Sequence, residues 1–215
     1  MRVVTISATY GARGASVGPA VAERLGLPFV DRAIPETVAG EIGCTLEEAL
    51  AHDGRAESGI GRILAGAARL PNVAMGGMDV YLPDRAIVPP EEFVEHTAGI
   101  IRRTAERDGG VLLGRAAAVV LKDRPDALHV RLDGPRERRL AIAAAETSGA
   151  GARTGAPGRG VERMLDDNDR ARTAYVKHFY GADPADPRLY HLVIDTTRLP
   201  ASAAVDLIAT AARAA

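Results

Sequence analysis

The residues best placed to do chemistry lie at the start of the chain. Val3-Val4-Thr5-Ile6-Ser7 is followed by Ala8-Thr9-Tyr10-Gly11-Ala12-Arg13-Gly14-Ala15-Ser16. An apolar run, a glycine-containing loop and a helix start, in that order, form the layout of a loop that cradles phosphate. A helix N-terminus presents unpaired N–H groups and a partial positive charge, and Gly11 and Gly14 allow the backbone to approach an anion closely. In the pattern G-x-x-x-x-G-K-[ST] the lysine position falls on Gly14, and Ser16 offers a hydroxyl for Mg²⁺. The plain alternative is an ordinary strand-to-helix turn whose glycines serve only the backbone.

Gly114-Arg115 is a second candidate. An arginine directly after a buried strand sits at the C-terminal rim of a parallel sheet, where α/β proteins bind ligands. A cation is unfavourable at a helix start, so an anionic ligand would explain it better than solvent does. Asp31 closes a second short strand, Phe29-Val30-Asp31, where a ribose ligand would stand. The glycines at 11, 14 and 18 nevertheless lack the dinucleotide spacing G-x-G-x-x-G. The third candidate is the arginine set Arg136, Arg138, Arg139, Arg153, Arg159, Arg163, Arg170 and Arg172. Arg153 and Arg159 lie in a glycine-rich stretch over 147–160, suited to a lid closing over phosphates. The others read mainly as charged, solvated helix faces, with Asp166, Asp167 and Asp169 as partners. The five histidines show no metal-ligand spacing.

These groups need a scaffold, and the hydrophobic pattern supplies one. Val3–Ser7, Phe29–Asp31, Gly110–Leu113, Ala127–Leu132 and Leu189–Ile194 read as strands. Between them, Ser16–Leu25, Glu91–Arg107, Pro135–Ala145, Val161–Phe179 and Ala201–Arg213 read as helices. Strands alternating with helices predict a parallel sheet covered on both faces, with the mainly helical block 33–107 inserted after the second strand. Ile60, Ile63, Leu64 and Leu70 in that block could form a helical homodimer contact or an internal core.

The 215 residues suit one domain. A net charge of −1 gives no electrostatic case for nucleic acid or an anionic membrane. No apolar stretch approaches the ~20 residues of a membrane helix. Cys44, the single cysteine, excludes an internal disulfide. With no leader-like segment before the first strand, a cytoplasmic location is expected. Only two of the 27 basic residues, Lys122 and Lys177, are lysines, so an arginine could do a lysine's work.

Taken in order, these segments resemble the cytidylate kinase-like family, a branch of the P-loop nucleoside monophosphate kinases. Ser7–Gly18 is similar to its S-R-E-[FY]-G-S-G-G-x-x-I-G, and Gly26–Arg32 to its G-[IL]-P-[FY]-x-D-[KR]. Gly114–Leu121 is similar to G-R-x-A-x-x-[VI]-L, and Asp169–Pro187 to D-[KR]-A-R-x-x-Y…Y-x-G…D-P. Leu189–Leu199 resembles the closing Y-x-L-x-[IL]-[ND]-T-[ST]-x-L.

The resemblance implies a single P-loop α/β domain over 1–215, an acceptor-binding helical insertion at about 32–107 and a lid at about 147–160. It implies transfer of the γ-phosphoryl of ATP, with Mg²⁺, to CMP or a similar small-molecule acceptor. On that pattern Gly11, Ala12, Arg13, Gly14, Ala15 and Ser16 hold the donor phosphates, with Ser16 on Mg²⁺. Asp31, Arg32 and Arg115 bind the acceptor, and Arg153 and Arg159 clamp the transferring phosphate. The chain also differs from the usual phosphate loop and from the family pattern at several positions. Gly14 stands at the lysine position, as is common in this branch, and Arg13 replaces a loop glycine as a candidate substitute cation. Ala8-Thr9 replaces Arg-Glu, and Ala116 and Ala118 replace aspartates expected to read cytosine. Two alternatives follow: a nucleotide-binding protein without turnover, and a kinase for a non-nucleotide acceptor.

Overall fold

The computed structural model describes residues 3–31, 90–107, 109–114, 116–149 and 157–214. Their order is β1 (Val3–Ala8), α1 (Gly14–Leu25), β2 (Phe29–Asp31), α2 (Pro90–Arg107), β3 (Gly110–Leu113), α3 (Ala117–Val120), β4 (Ala127–Asp133), α4 (Arg136–Gly149), α5 (Pro157–Tyr180), a 3₁₀ turn (Pro187–Leu189), β5 (Leu192–Asp195) and α6 (Ala201–Ala214). Of the expected insertion, α2 is described; Cys44, Ile60, Ile63, Leu64 and Leu70 lie outside the described residues.

The five strands form one sheet in the order β2-β3-β1-β4-β5, and every neighbouring pair is parallel. The alternation of side chains along each strand builds two cores. Val4 and Ile6 of β1, Val111 and Leu113 of β3, and Leu128, Val130 and Leu132 of β4 meet Val17 and Val21 of α1 and Val205 and Ile208 of α6. The intervening Val3, Leu112 and Ala127 face the other way, onto Ile101 and Ala105 of α2 and Ala117 and Leu121 of α3. Gly18 brings α1 against the sheet edge, since a Cβ there would stand 2.8 Å from the Phe29 ring. Gly26 ends α1 in the left-handed conformation, as its position after the apolar stripe predicts.

The second face is not apolar throughout. Thr5 and Ser7 are in register with His129 and Arg131, so these four share that face, and Asp133 continues it. Thr5, His129 and Arg131 are all buried. Thr5 Oγ1 and His129 Nδ1 share a 2.8 Å hydrogen bond, and the His129 ring stacks on His191 at 5.0 Å.

Two boundaries differ from the sequence pattern. The last strand begins at Leu192 rather than Leu189. Asp186 accepts the Arg188 N–H and Pro187 follows it, so Pro187–Leu189 closes into a 3₁₀ turn before pairing begins. The expected lid over 147–160 is trimmed from both sides. Helix α4 runs on to Gly149 and α5 already begins at Pro157, a residue pre-set for a first helical turn. Residues 150–156 lie outside the described residues. Among the described residues no helix is long and apolar enough to cross a membrane.

The buried histidine makes stability depend on pH. Burial, and then the neighbouring His191, lower the His129 pKa from 6.5 to about 4. Between those values the unfolded chain binds a proton that the folded protein does not, so stability is full above pH 6.5 and falls as pH drops toward 4. The loss expected from this group is about 3 kcal/mol. Urea denaturation at pH 7 and pH 4.5 measures it, and His129→Gln should remove that part of the slope.

Candidate active site

The turn between β1 and α1 is held from three directions. Helix α5 supplies Asp169, whose Oδ1 accepts the Tyr10 N–H at 3.0 Å. Its Oδ2 accepts from Arg139 of α4 at 2.7 Å, and the same Arg139 nitrogen donates to the Tyr10 carbonyl at 2.8 Å. The end of β4 supplies Asp133, which accepts the Thr9 hydroxyl at 2.9 Å. The segment after β5 supplies Thr196, fully buried, whose hydroxyl donates to the Ala12 carbonyl at 2.9 Å. Gly11 is required where it stands. Its φ is +75°, and a Cβ would run into the Arg139 carbonyl oxygen.

Held in this way, the loop presents donors. Among the described residues no group accepts from the N–H of Gly11, Arg13, Gly14 or Ala15. Amides left open around the start of a twelve-residue helix are what an anion binds. The loop forms one wall of a cavity of about 540 Å³, within the range of small-molecule sites. Its floor is the end of β1, its second wall is Leu113, Gly114 and Ala116 to Val119, and its third is α5 with Asn168, Arg172 and Tyr175.

Arg172 is the cation on the floor. It donates to the Ala8 carbonyl and the Ser7 hydroxyl, and Ser7 in turn lies 3.0 Å from Tyr190 Oη. Tyr190 donates to the Pro184 carbonyl at 2.9 Å. Among the described residues no carboxylate pairs with Arg172. Burial pushes its pKa down, and the neighbouring Tyr190, Asp169 and Asp133 only partly oppose this. A cation in that state gains from an anion entering the cavity. Asn168 lies one turn away and also lines the cavity, and its amide nitrogen is buried without a partner among the described residues.

The sequence candidates fall into three groups. Gly11, Arg13, Gly14, Ala15 and Ser16 line the cavity, while Ala12 is buried beneath the loop. The Ser16 hydroxyl is exposed and donates to the Arg13 carbonyl at 3.1 Å, and the residue directly after Gly14 is Ala15, which has no side-chain oxygen to offer a metal. Asp31 ends β2 in register with Leu113, so it stands at the rim beside the second wall, and Arg159 stands in the first turn of α5. Arg32, Arg115 and Arg153 lie outside the described residues. Among the described residues no group of three His, Cys, Asp or Glu side chains could hold a metal ion.

The other arginines divide by partner. Arg136 pairs with Asp166 and Glu162, Arg139 with Asp169, and Arg170 with Asp167, so the acidic residues of α5 are arginine partners, as their sequence suggests. Arg131 forks onto Asp133 at 2.6 and 2.9 Å and also reaches the Pro184 carbonyl. The pattern named Arg172 only as one of eight arginines, and it did not point to Asn168 or Tyr190. A signal that would have paired Arg172 with Asn168 was present: they stand four apart in sequence and therefore share a helix face.

A parallel five-stranded sheet with an anion-ready loop after its central strand defines a P-loop-type α/β protein. The chain belongs to the cytidylate kinase-like family, whose model matches residues 3–198. Among solved structures, an uncharacterized protein from Eubacterium ventriosum is similar over 100% of both chains, at 16% identity and a TM-score of 0.64. A gluconokinase from Sinorhizobium meliloti aligns over 99% of this chain and 92% of its own, at 16% identity and a TM-score of 0.49. A shikimate kinase from Bacteroides thetaiotaomicron aligns over 99% and 97%, at 14% identity and a TM-score of 0.47. No curated protein matches the sequence.

The clamp on the loop should be measurable. The Arg139 side chain is 9% exposed, so Asp169→Ala leaves a largely buried cation with only the longer Asp133 contact at 3.7 Å and removes the carboxylate's bond to the Tyr10 amide. A loss of about 2 kcal/mol is expected, read as a lower urea midpoint at unchanged m-value.

Proposed function

We propose that this protein is an ATP-dependent kinase that transfers the γ-phosphoryl group to a small acceptor carrying its own anionic group, a nucleoside monophosphate of the CMP type. Family membership supports a small-molecule kinase. The observation that carries the acceptor's charge is Arg172: a cation on the cavity floor, beside the loop, whose hydrogen-bond acceptors among the described residues are the neutral Ala8 carbonyl and Ser7 hydroxyl.

The residues divide the work by position. The open amides of Gly11, Arg13, Gly14 and Ala15 hold the donor phosphates. Arg172 draws in the acceptor's phosphate, and Ser7 and Tyr190 fix the plane of its guanidinium. A phosphate acceptor is already a charged nucleophile, so positioning and charge neutralisation suffice and no general base is needed. Asp31, Arg32 and Arg115 are assigned to the acceptor, and Arg153 and Arg159 to closure over the transferring group. Mg²⁺, when bound, would neutralise charge on the donor phosphates. The described residues fit the phosphates better than the metal: the amides are open, whereas the Ser16 hydroxyl is turned to Arg13.

One observation favours a second acceptor class. The second wall carries Ala117 and Ala118, 3% and 5% exposed, after Ala116, and these alanines offer a pyrimidine base no side-chain hydrogen bond. A non-nucleotide acceptor with an anionic group and a less polar body fits that wall equally well.

Purified protein assayed with Mg-ATP against CMP, dCMP, UMP and AMP tests the reading. Turnover is expected with at least one of them, and saturable ATP binding without turnover would defeat it for nucleotides. Arg172→Met should raise the acceptor KM about tenfold or more while changing ATP affinity little, because it removes a charge-assisted contact to one substrate only.

A further inference from the structure

We infer that Arg13 supplies the positive charge that a loop lysine would bring to the donor phosphates, because the loop cannot hold any side chain at position 14. The inference rests on the kinase reading above for the identity of the donor.

Position 14 is closed by the sheet. A Cβ on Gly14 would stand 2.5 Å from the Ala8 Cβ and 3.4 Å from Leu113 Cδ1. Ala8 is the last residue of β1 and is held in register with Leu132 of β4, so it is not free to give way. The absence of lysine is therefore a property of how the loop packs on β1, and a cation has to come from elsewhere.

Arg13 is the adjacent residue, and it lines the cavity. Everything local argues against an arginine there. Its backbone is left-handed, with φ 59° and ψ 23°, and Arg13 and Ala116 are the two non-glycine residues with positive φ among the described residues. It is the N-cap of α1 yet makes no side-chain cap hydrogen bond, where Ser, Asp, Asn or Gly would serve better. Its charge sits at the positive end of the helix. Among the described residues its guanidinium has no carboxylate or other hydrogen-bond partner to offset these costs. Glycine would remove all three penalties. An anion in the cavity reverses the balance, since it turns the charge from a liability into an attraction. Arg172 does not duplicate the role, because its guanidinium is committed to Ser7 and Ala8 at the floor.

The test combines melting and Mg-ATP titration, neither of which needs an acceptor. Arg13→Gly should melt at or slightly above the parent, by about 2 °C for relief of left-handed strain in a chain of this size. Its Kd for ATP should rise about tenfold or more, as for loss of one preorganised charged donor. Arg13→Lys should keep most of the affinity and Arg13→Gln should not. Gly14→Lys should lower the melting temperature and not raise affinity. Unchanged ATP affinity in Arg13→Gly would overturn the inference, as would a melting point several degrees lower, which would make the side chain a structural support. An unaltered melting point in Gly14→Lys would overturn the packing argument. A parent that binds ATP but turns over no acceptor defeats the kinase reading and leaves this inference standing; a parent that binds no ATP defeats both.

Discussion

The site depends on one carboxylate and what it joins. Asp169 accepts from the Tyr10 amide with one oxygen and from Arg139 with the other, and Arg139 returns to the Tyr10 carbonyl. A turn after a strand has no reason of its own to keep one shape, because its backbone groups can pair with water. Here α4 and α5 hold both polar groups of Tyr10, and Gly11 then fits against the Arg139 carbonyl only because it lacks a side chain. The open amides of Gly11, Arg13, Gly14 and Ala15 follow from that fixed turn. Loop and helices are thus coupled, and the polar contacts between α5 and the loop serve shape as much as charge.

The sheet contributes through the asymmetry of its two faces. The face under α1 and α6 is an ordinary apolar core. The other face carries Thr5, Ser7, His129, Arg131 and Asp133 on its two central strands. Buried polar groups must find partners, and each step along this row hands over to the next. Arg131 holds Asp133, Asp133 holds Thr9, and Ser7 meets Arg172 and Tyr190. Burial alone would raise the Asp133 pKa, but Arg131, the Gly134 amide and Thr9 outweigh it and keep it below the ordinary aspartate value. The row ends at the loop, so the polar face delivers organised charge to the C-terminal rim, where parallel sheets bind ligands.

Much of the fold was legible because strand and helix periods differ. The alternation Leu128-His129-Val130-Arg131-Leu132 marks a strand with one apolar and one polar face, although what the polar face meets is not written in it. The strand-loop-helix start, the Gly26 cap and the parallel sheet were all readable. The 3₁₀ turn at Pro187–Leu189 was not, because Leu189 and Tyr190 run on into the strand pattern and only the Asp186 cap marks the turn. In the site, the loop itself was readable and Arg172 was not singled out. Eight arginines of similar chemistry lie between residues 136 and 172, and their roles differ by which carboxylates lie within reach.

The sequence by itself determined the class of protein: the order of elements, the glycines of the loop after β1 and the family they belong to are local properties of neighbouring residues. The tertiary structure decided which charges are spent on structure and which face the cavity. Arg136, Arg139 and Arg170 are neutralised by carboxylates on α5, whereas Arg13 and Arg172 meet none among the described residues. It also decided that position 14 is closed, since the obstacle is Ala8 across the strand-to-helix turn. The physical reason is the same in both cases. Charge pairing and steric exclusion depend on distances between residues that the fold, not the chain order, brings together.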